Sequence, residues 1–554
     1  MFRRIGWQIF LVGIGFLVAA SMLVYIAATY TTEYRAAPGG TYVEGVSSYP
    51  QSLNPLLSFY NEADSDVTAL AFSGLTRMTM QGDLAPDLAQ GWEIDPSGIT
   101  YTFHLNPRAL WHDGTPVSAD DVVFTVGLLQ DPDYPGPPHI GQLWRSVDVR
   151  QVDDLTVQFA LEEAYVPFLD YTRIGLLPHH LLRGIRATDL PTLDFNRAPV
   201  GTGPFRLTDV VVEEGQIVEV GLKRFTRYHG SSPYLENLLL RFYPTERAVF
   251  EAYQEGLVEG IAEVPPALLP EAWEQPTLQF YSAPKAEMTL LYFNQLLTET
   301  VPFADSRVRQ ALLYGLDRAA VVDEALNGQG IVPATPLLPG TWAYTTEDVR
   351  PYDYDVERAS ALFASAGWRR PDEDALLQKA GGDPLHVSLL IAEEPRDVAL
   401  GEAIAKQWIT LGVSVTLETV PPLVRNGSLE SRNYEAALAH FVLPGDPDPY
   451  PFWHETQAVV GQNYAGFQHR RISEVVEQAR ITTDRDKRRE LYHEFQQLFM
   501  EEVPAIPLYV PIYTYAVDTK LRGVQLGPLM HSGDRFRNIE DWYVLQRRVI
   551  VSEE

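Results

Sequence analysis

A chain of 554 residues, 45% hydrophobic and with a formal net charge of −30, exceeds what one core usually supports, so two or more lobes are expected and general disorder is excluded. So acidic a surface repels nucleic acid and anionic lipid, which argues against both as partners. The absence of cysteine excludes disulfides, thiolate metal sites, cysteine nucleophiles and a lipid-modified N-terminal cysteine.

Arg3 and Arg4 precede a run from Ile5 to Ala28 that is broken only by weakly polar residues such as Gln8, Ser21 and Tyr25. That run is longer than the usual core of a cleaved signal and reads as an uncleaved membrane anchor over residues 1–30, N-terminus in and body out. The other reading is a long cleaved signal with a small-residue site near Ala27-Ala28; either way the body is exported. Thr31 to Gly40, polar and holding Pro38 and two glycines, reads as a linker.

The body begins near Thr41. Asn54-Pro55 is a turn signal followed by the aromatics Phe59 and Tyr60. Alternation over Thr100 to Leu105 predicts a strand, Asp113-Gly114 a turn, and Ser118 with Asp121 a capping box. Val149 to Leu161 predicts a hairpin about Asp153-Asp154. The spacing of His104 and His112 fits no metal site. Gly201-Thr202-Gly203-Pro204-Phe205 is a tight turn feeding a strand; it lacks the Lys-Ser/Thr of a phosphate loop, and Pro204 blocks the helix such a loop needs.

A helix is expected from Thr245 to Gly256 and a buried strand from Thr289 to Phe293. Asp305 caps a helix whose Val308, Ala311, Leu312 and Leu316 share a face, Asp317 caps a second, and Pro333, Pro336 and Pro339 stiffen the exit. Tyr354 to Trp368 is helical. Leu385 to Ile391, the helix Glu402 to Leu411 and Val413 to Leu417 form a strand-helix-strand unit with parallel strands. The apolar strand Ala436 to Val442 carries His440 and Phe441 and runs into Gly445-Asp446-Pro447-Asp448-Pro449. Ile472 to Met500 is one or two helices joined at Thr482-Thr483-Asp484, and Tyr513 to Val549 reads as closing strands of the first lobe.

Several of these stretches resemble, in order, the extracellular solute-binding proteins of the peptide and nickel ABC-importer family, family 5. The resemblance is carried by Leu84 to Ala89, Gly91-Trp92, Trp111 to Pro116, Gly201 to Phe205, Phe293-Asn294, Pro302-Phe303, Arg307 to Leu312, Asp317-Arg318, Asn327 to Gly340, Ala366-Gly367-Trp368, Ala479 to Asp484 and Val503 to Tyr509. It implies an α/β, two-lobed periplasmic-binding-protein-like fold (type II) with a hinge and an extra subdomain in the first lobe. On this basis residues 41–285 make the first lobe, 286–511 the second, and 512–554 return to the first.

The implied function is the extracytoplasmic substrate-binding component of an ABC importer, closing its lobes on a peptide or similar small solute and delivering it to permease subunits, with no cofactor. A membrane-anchored sensory or scaffold protein is the alternative. Family usage and composition together give the expected ligand-binding residues: Phe59, Tyr60 and Asn61 from the first lobe, and His440, Phe441, Asp446, Asn463 and Tyr464 from the second. In peptide binders of the family an acidic residue two places ahead of a Pro-Asp-Pro pairs with the ligand amine. Here that place holds Gly445; Asp446 either substitutes or caps the following segment. No Gly-x-Ser-x-Gly or His-Glu-x-x-His occurs, so the sequence offers no catalytic constellation.

Overall fold

The computed structural model describes residues 2–30, 32–297, 302–372, 375–443 and 445–550; Thr31, at the start of the expected linker, and the expected C-terminal segment beyond residue 550 lie outside them. One mixed sheet of twelve strands carries the body. Its centre is Ala505–Asp518, a strand that is buried almost throughout, as a sheet covered on both faces requires. The first part of that strand pairs antiparallel with Glu287–Phe293 (Thr289 opposite Tyr509), which in turn pairs with Ala436–Val442. Beyond these lie His386–Ala392 and Ser414–Val420, parallel as the strand-helix-strand pattern predicts.

The second part of the central strand changes partners. It pairs with Leu278–Pro284 (Ala283 opposite Tyr513) and with Gly260–Ile261, and the sheet continues through Thr41–Ser47, Asn237–Tyr243, Gln216–Arg224 and Phe205–Glu213. Separate apolar cores form on the two sides. The inserted subdomain is an antiparallel sheet of Ala89–Ile94, Thr100–Leu105, Thr156–Leu161 and Val147–Asp153. It has its own core around Trp111, Trp144, Phe103 and Phe159. The architecture is the two-lobed α/β fold with an added subdomain.

Three expectations are corrected. Thr32–Ala37 is a strand, paired antiparallel with Leu545–Ile550. A polar segment shows no strand signal of its own; here the edge it needs comes from the far end of the chain. The tail expected as closing strands over Tyr513 to Val549 is strand only at its two ends, up to Asp518 and from Leu545; between them lie short 3-10 turns at Ser532–Phe536 and Ile539–Asp541. The helix expected from Glu402 starts earlier, at Pro395, because proline is tolerated in a first turn. The N-terminal run is one helix, Phe2–Tyr30, part of whose side chains lie outside the described residues. Among the described residues no helix is long and apolar enough to cross a membrane.

The glycine turn is architectural. A β-carbon at Gly201 or Gly203 would run into the backbone of Ala71 or Leu70, so the turn lies flush on the end of the helix Glu62–Ala71, where Gly203 N–H donates to Ala71 O at 2.9 Å. His112 clamps it from the other side: Nδ1 accepts from Gly201 N–H at 3.2 Å and Nε2 lies 3.0 Å from Gly203 O. Burial lowers the His112 pKa from 6.5 to about 4. The unfolded chain therefore binds the extra proton between those values, and the stability this residue lends, complete above pH 6.5, drains away as the pH falls towards 4. About 3 kcal/mol should be lost through this group. Urea unfolding at pH 7, 5.5 and 4.5 should show that slope in the natural chain and a flatter one in His112→Asn.

Candidate functional site

A cavity of about 480 Å³ opens where stretches distant in the chain converge, inside the roughly 300–1,000 Å³ typical of small-ligand sites. Its first wall is set by the Asn54-Pro55 turn. Buried Asn54 accepts from Leu56 N–H and donates to Asn196 Oδ1, both at 3.0 Å, which fixes the turn Ser58–Tyr60 beyond it. Asn61 caps the helix Glu62–Ala71 by accepting from Asp64 N–H at 3.1 Å and holds Tyr49 O through its amide at 3.0 Å. Glu62, Ser65 and Ala69, three and four apart, face the cavity from that helix. The helix is pinned by Asp66, which with Glu44 receives the fully buried Arg535.

The second wall comes from the subdomain. The short helix Phe168–Tyr171 ends beside Arg173, whose Nε donates to Asp170 Oδ1 at 2.8 Å and to Asp170 O at 3.2 Å. Burial pulls the Arg173 pKa down, but Asp170 and Asp534 beside it more than offset this, and it lies above its ordinary value. Burial lowers the pKa of His139 on the same wall, so its imidazole is neutral near pH 7. The third wall is Val442, Leu443 and Gly445, at the carboxyl end of a strand, where α/β sheets hold ligands. Gly445 touches the opposite wall: a β-carbon there would collide with the Asp170 carboxylate.

Of the residues singled out in the sequence, Phe59 and Asn61 line this cavity. Tyr60 stands exposed beside it. Phe441 packs on Phe452, ring centroids 4.7 Å apart, and lines a separate narrow apolar hollow with Leu337 and Pro449. His440 lies between Asp397 Oδ1 and Thr289 Oγ1, each at 2.6 Å, so both ring nitrogens are taken. Asp446 receives Arg488 in bidentate fashion at 2.7 and 2.5 Å. Fully buried Asn463 braces its own loop through His454 O, Phe467 O and Phe467 N. Tyr464 packs edge-on against Tyr292 with Arg432 over its ring.

The structure thus does not bring His440, Asp446, Asn463 or Tyr464 to the cavity. Their partners are nearer at hand, and a buried polar group must be satisfied somewhere. In place of Asp446, the charged groups facing the cavity are Glu62, Asp170 and Arg173. Asp170 and Arg173 stand three residues apart and pair, but no local signal in the sequence says that the pair faces a void. Asp446→Ala should therefore strand the buried Arg488 and cost about 3–5 kcal/mol of stability. Calorimetry should show a lower unfolding midpoint, with solute affinity unchanged in the protein that remains folded.

Comparison with known proteins identifies the family and the fold. The family described as bacterial extracellular solute-binding proteins, family 5 Middle, matches residues 83–463. The oligopeptide-binding protein AppA of Bacillus subtilis is 27% identical over 518 residues, covering 91% of this chain and 92% of that one. The dipeptide-binding protein of Escherichia coli is 26% identical over 473 residues, covering 81% and 84%. The structure of HbpA2 from Haemophilus parasuis superposes with a TM-score of 0.79 at 21% identity, over 90% of this chain and 99% of that one, a likeness of fold.

Proposed function

Because the chain belongs to the bacterial extracellular solute-binding proteins of family 5, we infer that it is the extracytoplasmic substrate-binding component of an ABC importer, taking a peptide or similar small solute and presenting it to a permease. The observation that carries this reading is the cavity itself, whose walls come from both sides of the shared strand and meet at Asp170 and Gly445. The names of the oligopeptide- and dipeptide-binding relatives favour a peptide. In this reading residues 41–285 and 512–550 move as one lobe and 286–511 as the other, hinged where residues 283–289 and 509–513 cross. A solute biases closure only by its additional affinity for the closed form.

The N-terminal segment acts as the membrane attachment. Support comes from the sequence and not from the described residues of the helix: Arg3-Arg4 stand ahead of the run Ile5 to Ala28, whose length at about 1.5 Å per helical residue matches a hydrocarbon core of about 30 Å. Phe59, Asn61, Leu443 and Gly445 contact the solute, with exposed Tyr60 closing over it.

One purification tests these points together. The full chain, extracted from membranes in mild detergent and analysed by mass spectrometry, should retain its N-terminus, carry a peptide-like small molecule and bring permease subunits with it. A solute without permease would favour the sensory alternative, and an N-terminus near Thr29 would show a cleaved signal. Absence of any copurifying small molecule at micromolar protein, together with no thermal shift from a peptide panel, would contradict the peptide reading.

A further inference from the structure

Arg173 is unusual among the buried arginines of this protein. Arg309, Arg432, Arg488 and Arg535 donate from their Nη atoms to carbonyl or carboxylate oxygens of the chain. Arg173, with only about a fifth of its side chain exposed, spends Nε on Asp170, and neither Nη donates to any group among the described residues. Its neighbour Asp534 is already engaged by Arg537 at 2.7 Å and by Met530 N–H at 2.7 Å. Both Arg173 and Asp170 line the cavity, beside the apolar Phe72, Ile174 and Met530.

A guanidinium held on its Nε side and open on both Nη atoms offers the parallel donor pair that matches the two oxygens of a carboxylate. We propose that Arg173 is the specificity-determining residue of the cleft, and that the solute carries a carboxylate which docks on its two Nη groups. Asp170 is a positioning residue: it holds the Nε edge and leaves both Nη atoms to a solute in the cavity that Arg173 lines. The placement of Gly445 belongs to the same device, since any side chain there would displace the Asp170 carboxylate. This inference rests on the solute-binding reading above, and for a peptide it assigns the C-terminus to the subdomain wall.

The test compares trialanine with its C-terminal amide by titration calorimetry on the natural chain, on Arg173→Gln and on the double variant Arg173→Gln/Asp170→Asn, which leaves no carboxylate unpaired. The free acid should bind the natural chain roughly tenfold or more tightly than the amide, because a buried donor pair left without an acceptor penalises the analogue that lacks one. Both variants should lose that preference, and the double variant serves if the single one fails to fold. Equal binding of acid and amide to the natural chain, or a preference that survives in the folded variants, overturns the proposal and leaves the peptide reading intact. If neither peptide binds, trialanine is not the solute, and the peptide reading is decided by the peptide panel and the copurified molecule. The carboxylate assignment is then decided by whether the copurified solute contains a carboxylate and loses affinity in Arg173→Gln.

Discussion

The structure depends on one strand serving two halves. Ala505–Asp518 gives its first residues to Glu287–Phe293 and its last to Leu278–Pro284 and Gly260–Ile261. Two consecutive strands of the chain thus lie along the same neighbour on either side of residues 285–286, where Lys285 N–H still reaches Pro511 O at 2.8 Å. Each half has its own backbone ladder, so a change of direction at the exchange point alters how the halves face each other without separating the strands within either. The cavity sits beside that exchange, with one wall on the carboxyl end of Ala436–Val442 and the other on the helix that begins at Glu62. A small rotation at the strand is therefore expressed as opening or closing of the site.

Most of the chain's buried charge maintains this frame. Arg309 donates to Phe303 O, Glu502 O and Val503 O, tying the helix Ser306–Tyr314 to the end of the long helix Arg485–Glu502. Arg318 donates to Pro333 O and Pro507 O, bracing the central strand where proline cannot. Arg535 spans Glu44 and Asp66. Two of these arginines belong to the motifs that made the family legible, Arg307 to Leu312 and Asp317-Arg318. Those motifs encode the frame, so a resemblance built on them specifies the fold and the class of function while saying little about the solute.

The same distinction explains what could be read from the sequence. Helix starts at Asp305 and Asp317, and the box of Ser118 with Asp121, were legible because a cap joins residues two or three apart. The strand Ala436–Val442 and the parallel pair His386–Ala392 and Ser414–Val420 followed from apolar runs and spacing. The ribbon of Thr32–Ala37 with Leu545–Ile550 was illegible, because its partners lie at opposite ends of the chain. At the cavity, Phe59 and Asn61 follow a local turn and line its wall. His440 and Asn463 have the composition of ligand groups, yet Asp397 and the carbonyls of His454 and Phe467 occupy them. Arg173 and Asp170 were missed for the converse reason: only the meeting of subdomain and strand end makes them face a void.

The central claim is that a solute closes the two lobes about the shared strand. Since the chain has no cysteine, one engineered cysteine at exposed Val152 in the subdomain and one at exposed Val460 across the cleft can carry a spin-label pair. Distance distributions of the full chain, stripped of solute and then resupplied with the molecule that copurifies, measure closure directly. The account predicts a shorter label separation with solute than without. An unchanged distribution at saturating solute, with binding confirmed by calorimetry on the same sample, would contradict it.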